Sequence, residues 1–242
     1  MEQFRTYEAQ IDSLMAFECF QKLSLANVKT SYFLQKGKGS GIVLKSDTKI
    51  ELGGCQSTFS ILLPSNIKNS GVSLCGKDLD TEEQSLPFGQ IVKVSGENFD
   101  AEMYYQLGQV LHGLMQVEGY MVKKSNQKFL CRVSKQAATN DKLSFAALGE
   151  ILIRRIKERF AKVESVQIFY ITSPSAQFHN WQSIAEEISK VLKKVKESVW
   201  QSRGVNINEC LKIGHCGKCS SKEVCDKARQ IGLEVINKMK PS

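Results

Sequence analysis

The sequence predicts an α/β fold, a mixed sheet with packed amphipathic helices plus a small cysteine-rich helical segment at its C-terminal end, and three observations predict it. Short β-rich runs bounded by glycine and proline alternate with longer stretches whose apolar residues recur at helical intervals. The 242 residues are 42% hydrophobic, enough to bury a core in one large domain with a small appendage. Four of the eight cysteines crowd the last third of the chain, at Cys210, Cys216, Cys219 and Cys225.

The elements follow in order. Residues 3–23 place Phe4, Ile11, Leu14, Met15, Phe17, Phe20 and Leu23 at near-helical spacing and predict a helix packed on the body. Residues 36–41, Lys-Gly-Lys-Gly-Ser-Gly, precede a strand-like Ile42-Val43-Leu44 and hold no Gly-Lys-Ser/Thr. They fit neither dinucleotide nor P-loop logic and read as a hairpin or linker. Strands are expected at 49–52, 58–63, 72–75 and 90–95, separated by Gly53-Gly54, Pro64-Ser65-Asn66 and Pro87. A helix over 101–118 ends at Gly119, a strand covers 128–134, a helix covers 145–161 and a strand covers 165–171. A last amphipathic helix, 181–200, carries Ile184, Ile188, Val191, Leu192, Val195 and Val199 on one stripe and separates the body from the cysteine segment.

Charge narrows the function classes. The formal charge is +8, but the basic residues are spread along the chain among 25 acids, which argues against a nucleic-acid partner. The basic runs at Arg154-Arg155 and 190–196 fall on helices, where a solvated face is the default and a docking surface for an acidic redox partner the alternative. The first residues carry charges and no apolar run long enough for a signal peptide or membrane span, so a cytoplasmic protein with no membrane partner is expected. Cys19, Cys55, Cys75 and Cys131 lie scattered in apolar segments and read as small buried hydrophobes. His112, beside Leu111, Leu114 and Met115, reads as a core or helix-surface residue, and His179 as one that precedes a helix. No nucleophile, base and orienter assemble from the sequence, so the catalytic residues are unassigned.

The cysteine segment carries the chemistry. Cys216 and Cys219 form a Cys-x-x-Cys pair that offers two soft donors from one turn, and Gly217 gives that turn backbone freedom. Cys210 and Cys225 stand six positions outside it on either side, so all four thiols can converge as metal ligands. Ser220 and Glu223 form a capping-box pattern at the start of a helix-compatible run to about residue 240. Lys212, Lys218, Lys222, Lys227 and Arg229 surround the site and suit a net-anionic cluster; four thiolates around a 2+ cubane core add about −2, leaving roughly +6 on the chain. Iron–sulfur ligation tolerates the irregular spacing, whereas structural zinc sites usually show two separate knuckles. Zinc with His215 replacing Cys210, and four free thiols, remain the alternatives.

A series of motifs then resembles one family. Ile50-Glu51-Leu52-Gly53-Gly54, Gly76-Lys77-Asp78-Leu79 and the strand 88–96 are followed by His112 with Val117-Glu118-Gly119-Tyr120-Met121. Arg132-Val133-Ser134-Lys135, Leu148-Gly149-Glu150-Ile151-Leu152 and 166–172 complete the series. Their order and spacing over about residues 48–175 resemble the beta subunit of the CO dehydrogenase/acetyl-CoA synthase complex. The resemblance implies an N-terminal helix and linker over 1–47, a central-domain-like α/β domain over 48–202 and a four-cysteine cluster-binding segment over 203–242. It also implies that Cys216, Cys219 and Cys225 are the first three ligands of a [4Fe-4S] cubane, with Cys210 as the fourth. The family's second nickel binds a Cys-Gly-Cys, which this sequence lacks, so acetyl-CoA formation by the family's mechanism is not expected. The expected roles are electron transfer or assistance in anaerobic CO, corrinoid or acetyl-CoA metabolism, with a redox or corrinoid/CO-metabolism protein as partner. A zinc-stabilised interaction module and a residual CoA- or acyl-handling enzyme are the other readings.

Overall fold

In the computed structural model the described residues are 4–26, 28, 43–53, 58–97, 99–112, 117, 119–125, 128–174 and 176–202. The chain divides into two compact units, Met1–Lys190 and Val191–Ser242; of the second, 191–202 are described, the C-terminal half of one helix. The architecture is mixed α/β, as the alternation of strand and helix signals predicts.

Among the described residues the larger sheet has five strands in the order β1-β4-β9-β6-β3. These are β1 (Gln21–Lys22), β3 (Thr58–Pro64), β4 (Gly71–Cys75), β6 (Phe88–Gly96) and β9 (Val163–Ile171). The two longest, β6 and β9, pair antiparallel at the centre, with Ile91 opposite Phe169 and Val94 opposite Val166. Each has a parallel partner on its other side, β3 beside β6 and β4 beside β9. Parallel neighbours need crossovers; helices from the β4-to-β9 crossover and from the stretches of chain before β1 and after β9 cover the faces. Every residue from Phe88 to Ser95 is accordingly buried.

Helix α3 (Phe145–Arg159) lies on one face. Gly149 there sits so close to Val72 of β4 that an added Cβ would stand 2.3 Å from Val72 Cγ2. Phe145 packs on Tyr170 of β9 with ring centroids 4.4 Å apart. Helix α1 (Arg5–Met15) lies on the opposite face, where its Asp12 pairs with Lys93 and its Glu8 accepts from Ser65. Lys93 is buried in the middle of β6, a position tolerated because its ammonium meets a carboxylate. On that same face Phe178 and Trp181 of α4 (Phe178–Ser202) close over Phe59, with Trp181 stacked at 5.7 Å. Beneath Phe59 the chain has Gly89, where a Cβ would lie 2.3 Å from the ring.

The second sheet, ordered β5-β2-β8-β7 among the described residues, consists of β2 (Thr48–Gly53), β5 (Ser85–Leu86), β7 (Tyr120–Ser125) and β8 (Lys128–Ser134). Helix α2 (Ala101–His112) starts at Asp100, whose carboxylate accepts from the Met103 amide at 2.7 Å. Its Tyr104 hydroxyl donates to Leu62 O at 2.7 Å.

Several sequence expectations change. Helix α1 ends at Met15, because the chain turns there: Phe17 is 72% exposed, and Phe20 reaches the sheet from an extended segment, edge-on to Phe169 at 5.3 Å. Strands β1, β5 and β7 carry no run of alternating apolar residues and exist by pairing with β4, β2 and β8. Leu44 leads into a 3-10 turn, Lys45–Asp47, rather than closing a strand. His179 lies inside the first turn of α4. Cys19 is exposed in the turn after α1, whereas Cys75 and Cys131 are buried as expected. The linker at 36–41, Ile42 and Cys55 lie outside the described residues.

Candidate functional site

The expected ligands Cys210, Cys216, Cys219 and Cys225 lie outside the described residues, as does His215. Their case rests on spacing and on the chemistry of four thiols. Among the described residues no group of three or more His, Cys, Asp or Glu side chains is placed to hold a metal ion.

The motifs that do lie in the described part meet at two places. The first is the C-terminal end of the parallel pair β4 and β9. Gly76 leaves β4 with φ +116°, a conformation that side chains rarely adopt. That turn brings Cys75 O within 2.9 Å of the Thr172 amide and Lys77 O within 2.7 Å of the Thr172 hydroxyl. Asp78 follows. Its Oδ1 accepts from Leu79 N at 2.7 Å and from Phe145 N at 2.8 Å, the latter in the first turn of α3. A helix N-terminus presents unpaired amides and a positive dipole end, so the carboxylate belongs there electrostatically. Burial nevertheless raises the Asp78 pKa; the two amides oppose that shift and the nearby Asp80 adds to it. Ser144 supplies the cap itself, accepting from Ala147 N at 3.2 Å.

The second place is the small sheet. Glu51 and Arg132 stand opposite each other on β2 and β8 and form an ion pair at 3.0 Å, both side chains partly exposed. Gly119 turns the chain into β7 with φ +71°, and a Cβ there would lie 2.3 Å from Ala137 Cβ. Ser134 closes β8 by accepting from Ala137 N at 3.0 Å, which opens a π-helical turn over Gln136–Asn140. Between the sheets Cys131 is fully buried and hydrogen-bonded to Tyr120. Burial pushes the Cys131 thiol up to about 12, so it stays protonated at neutral pH. Tyr120 and Tyr170 are likewise held neutral, chiefly by burial.

These residues build a scaffold more than a reacting centre. Asp78 spends its near oxygen on two backbone amides, and Cys131 lacks the exposure and cationic neighbours that activate a thiol. His112 is the last residue of α2, and His179 lies in the first turn of α4. The sequence reading missed the Asp78 link to α3 and the contact of Glu18 with Cys75. Each joins residues more than fifty positions apart, with no local pattern to announce it.

Comparison with known proteins agrees with this scaffold. A sequence model of the CO dehydrogenase/acetyl-CoA synthase complex beta subunit matches residues 37–176. The chain is similar to acetyl-CoA decarbonylase/synthase complex subunit beta 1 of Methanocaldococcus jannaschii, 26% identical over 179 residues. That match covers 72% of this chain and 23% of the relative. Subunit beta 2 of the same organism is 28% identical over 60% of the chain and 30% of the relative. The carbon monoxide dehydrogenase/acetyl-CoA synthase subunit alpha of Moorella thermoacetica is 27% identical over 74% of the chain and 25% of the relative. The chain thus spans between 23% and 30% of the length of these relatives.

Proposed function

The chain belongs to the CO dehydrogenase/acetyl-CoA synthase complex beta subunit family, and on that premise we propose that it is a [4Fe-4S] protein with an electron-transfer or accessory role in anaerobic CO, corrinoid or acetyl-CoA metabolism. The observation that carries the reading is the cysteine set downstream of the matched region. Cys210, Cys216, Cys219 and Cys225 supply four thiols within sixteen residues, the donor number and softness that a cubane requires. When bound, such a cluster accepts and releases single electrons. The chain's own contribution is to hold four thiolates together and to surround their negative charge with Lys212, Lys218, Lys222, Lys227 and Arg229.

These 242 residues hold no Cys-Gly-Cys, so they do not themselves offer the tripeptide that chelates square-planar nickel in the family. The proposed partner is a protein of CO or corrinoid metabolism; the relatives' names, a subunit of an acetyl-CoA decarbonylase/synthase complex and a subunit of carbon monoxide dehydrogenase/acetyl-CoA synthase, support the CO side of that reading. Among the described residues no helix is long and apolar enough to cross a membrane.

The second reading, a zinc-stabilised interaction module, is favoured by the single Cys-x-x-Cys knuckle with His215 beside it. Anaerobic purification with visible absorption and metal analysis separates the two. A broad band near 400 nm with iron and sulfide supports the cluster. Colourless protein with about one zinc per chain supports the module instead.

A further inference from the structure

We propose that the C-terminal unit is the docking surface for a small acidic protein, received by exposed lysines of α4; that this protein is an electron carrier rests on the cluster reading above. The basic residues look evenly spread along the sequence, but the two compact units divide the charge unequally. Val191–Ser242 holds eleven Lys and Arg against five Asp and Glu, a net +6, whereas Met1–Lys190 holds twenty-two against twenty, a net +2. Most of the chain's +8 thus falls in the unit that also contains Cys210, Cys216, Cys219 and Cys225. Four thiolates around a 2+ core would still leave that unit at about +4.

The described part of this unit carries the charge on one helix. Within α4 the stretch 191–202 buries Val195 and Val199 and exposes Lys193, Lys194 and Lys196. Glu197 is the one acid of that stretch. Lys193 and Lys196 stand three positions apart, a spacing at which like charges on a helix face each other and repel. The helix dipole does not offset that repulsion, because its pull fades within the last turn and the last turn of α4 holds no basic residue. An anionic partner laid over these lysines relieves it.

An acidic protein fits this unit better than a nucleic acid or a bilayer does. Nine of its eleven cations are lysine, a point charge without the planar fork by which arginine grips phosphate bidentately. A basic helix enters a bilayer by its apolar face, and on α4 Val195 and Val199 are already buried, at 8% and 4% exposed. Lysine charge on a solvated face steers an acidic protein from a distance and sets its approach more than its final affinity. A carrier that must arrive, exchange and leave needs that kind of contact.

The test measures, by fluorescence anisotropy, the binding of a labelled acidic [2Fe-2S] ferredoxin to the anaerobically purified full chain. Affinity should fall at least about tenfold between about 50 and about 300 mM NaCl, as salt screens exposed charge. The double variant Lys193→Glu/Lys194→Glu should weaken binding at least about tenfold at low salt, and Lys193→Gln/Lys194→Gln should weaken it less, in the same direction. Lys157→Glu/Lys162→Glu makes the same change in net charge at exposed positions of the first unit and should leave affinity within about twofold. Circular dichroism checks that each variant folds. Equal weakening by the two Glu double variants, no loss in either variant of Lys193 and Lys194, or no binding of the ferredoxin would overturn the proposal. So would tighter binding to a DNA duplex or to phosphatidylserine vesicles measured alongside. Metal analysis of the same samples tests the cluster separately: a chain with zinc or no metal that still binds through Lys193 and Lys194 refutes the cluster and upholds the docking surface.

Discussion

Replacing Gly76 by alanine should destabilise the first unit by about 3–5 kcal/mol, and the magnitude follows from the contacts. At φ +116° a side chain is strained by roughly 1–3 kcal/mol. The added Cβ would stand 2.4 Å from Ser173 N and 2.9 Å from Thr172 C, both backbone atoms, so the strand end must move. That movement breaks two hydrogen bonds, Thr172 N to Cys75 O at 2.9 Å and Thr172 Oγ1 to Lys77 O at 2.7 Å. Each contributes about 1 kcal/mol. Gly108 in α2 is the control: among the described residues nothing lies within 4 Å of its added Cβ. Gly108→Ala should therefore stabilise by roughly 0.5–1 kcal/mol through helix propensity. Urea unfolding followed by fluorescence reads both, because Trp181 is fully buried against Phe59. With a slope of about 2–3 kcal/mol per M, Gly76→Ala should lower the midpoint by about 1–2 M and Gly108→Ala should raise it slightly. An unchanged midpoint for Gly76→Ala would refute the strained-turn argument.

Other expectations concern charge, thiols and the aromatic lid. Asp78 has a raised folded-state pKa, so the folded protein binds its proton more tightly than the unfolded chain does. Wild type should consequently lose stability relative to Asp78→Asn as pH climbs from about 4, the ordinary carboxylate range, through the raised value. Parallel melting temperatures for the two proteins across that window would contradict it. In the reduced native protein iodoacetamide should label Cys19 well before Cys131, whose thiol sits near 12 and out of solvent; equal labelling times by peptide mapping would remove that distinction. Trp181→Ala should cost about 3–5 kcal/mol, since it opens a cavity over Phe59 and removes the Glu18 partner, and circular dichroism melting would measure the loss.

The strands β3, β4, β6, β8 and β9 were legible because Phe59, Ile61, Val92 and Ile168 lie in apolar runs bounded by turn residues. Their partners were not legible. Nothing in residues 58–64 says that they run parallel to 88–94, since pairing depends on crossovers and not on local pattern. Strand β7 escaped notice because Lys123, Lys124 and Ser125 break its apolar character, and it forms against β8 residue by residue. The N-terminal helix was overextended because Phe17 and Phe20 fit a helical period while one points to solvent and the other arrives from a bend. The cysteine quartet was legible as spacing alone, whereas the contact of Glu18 with Cys75 required the pairing of β1 with β4 to be known.

The functional reading stands on four sulfurs near the C-terminal end sharing one cubane. Native mass spectrometry of the anaerobically purified chain, beside Cys210→Ser, Cys216→Ser, Cys219→Ser and Cys225→Ser, reads that sharing without intermediaries. The wild type should carry the mass increment of one [4Fe-4S] cluster, and each substitution should lower its retention. A wild-type chain that carries zinc or no metal, or variants that all retain the full increment, would rule the shared cubane out.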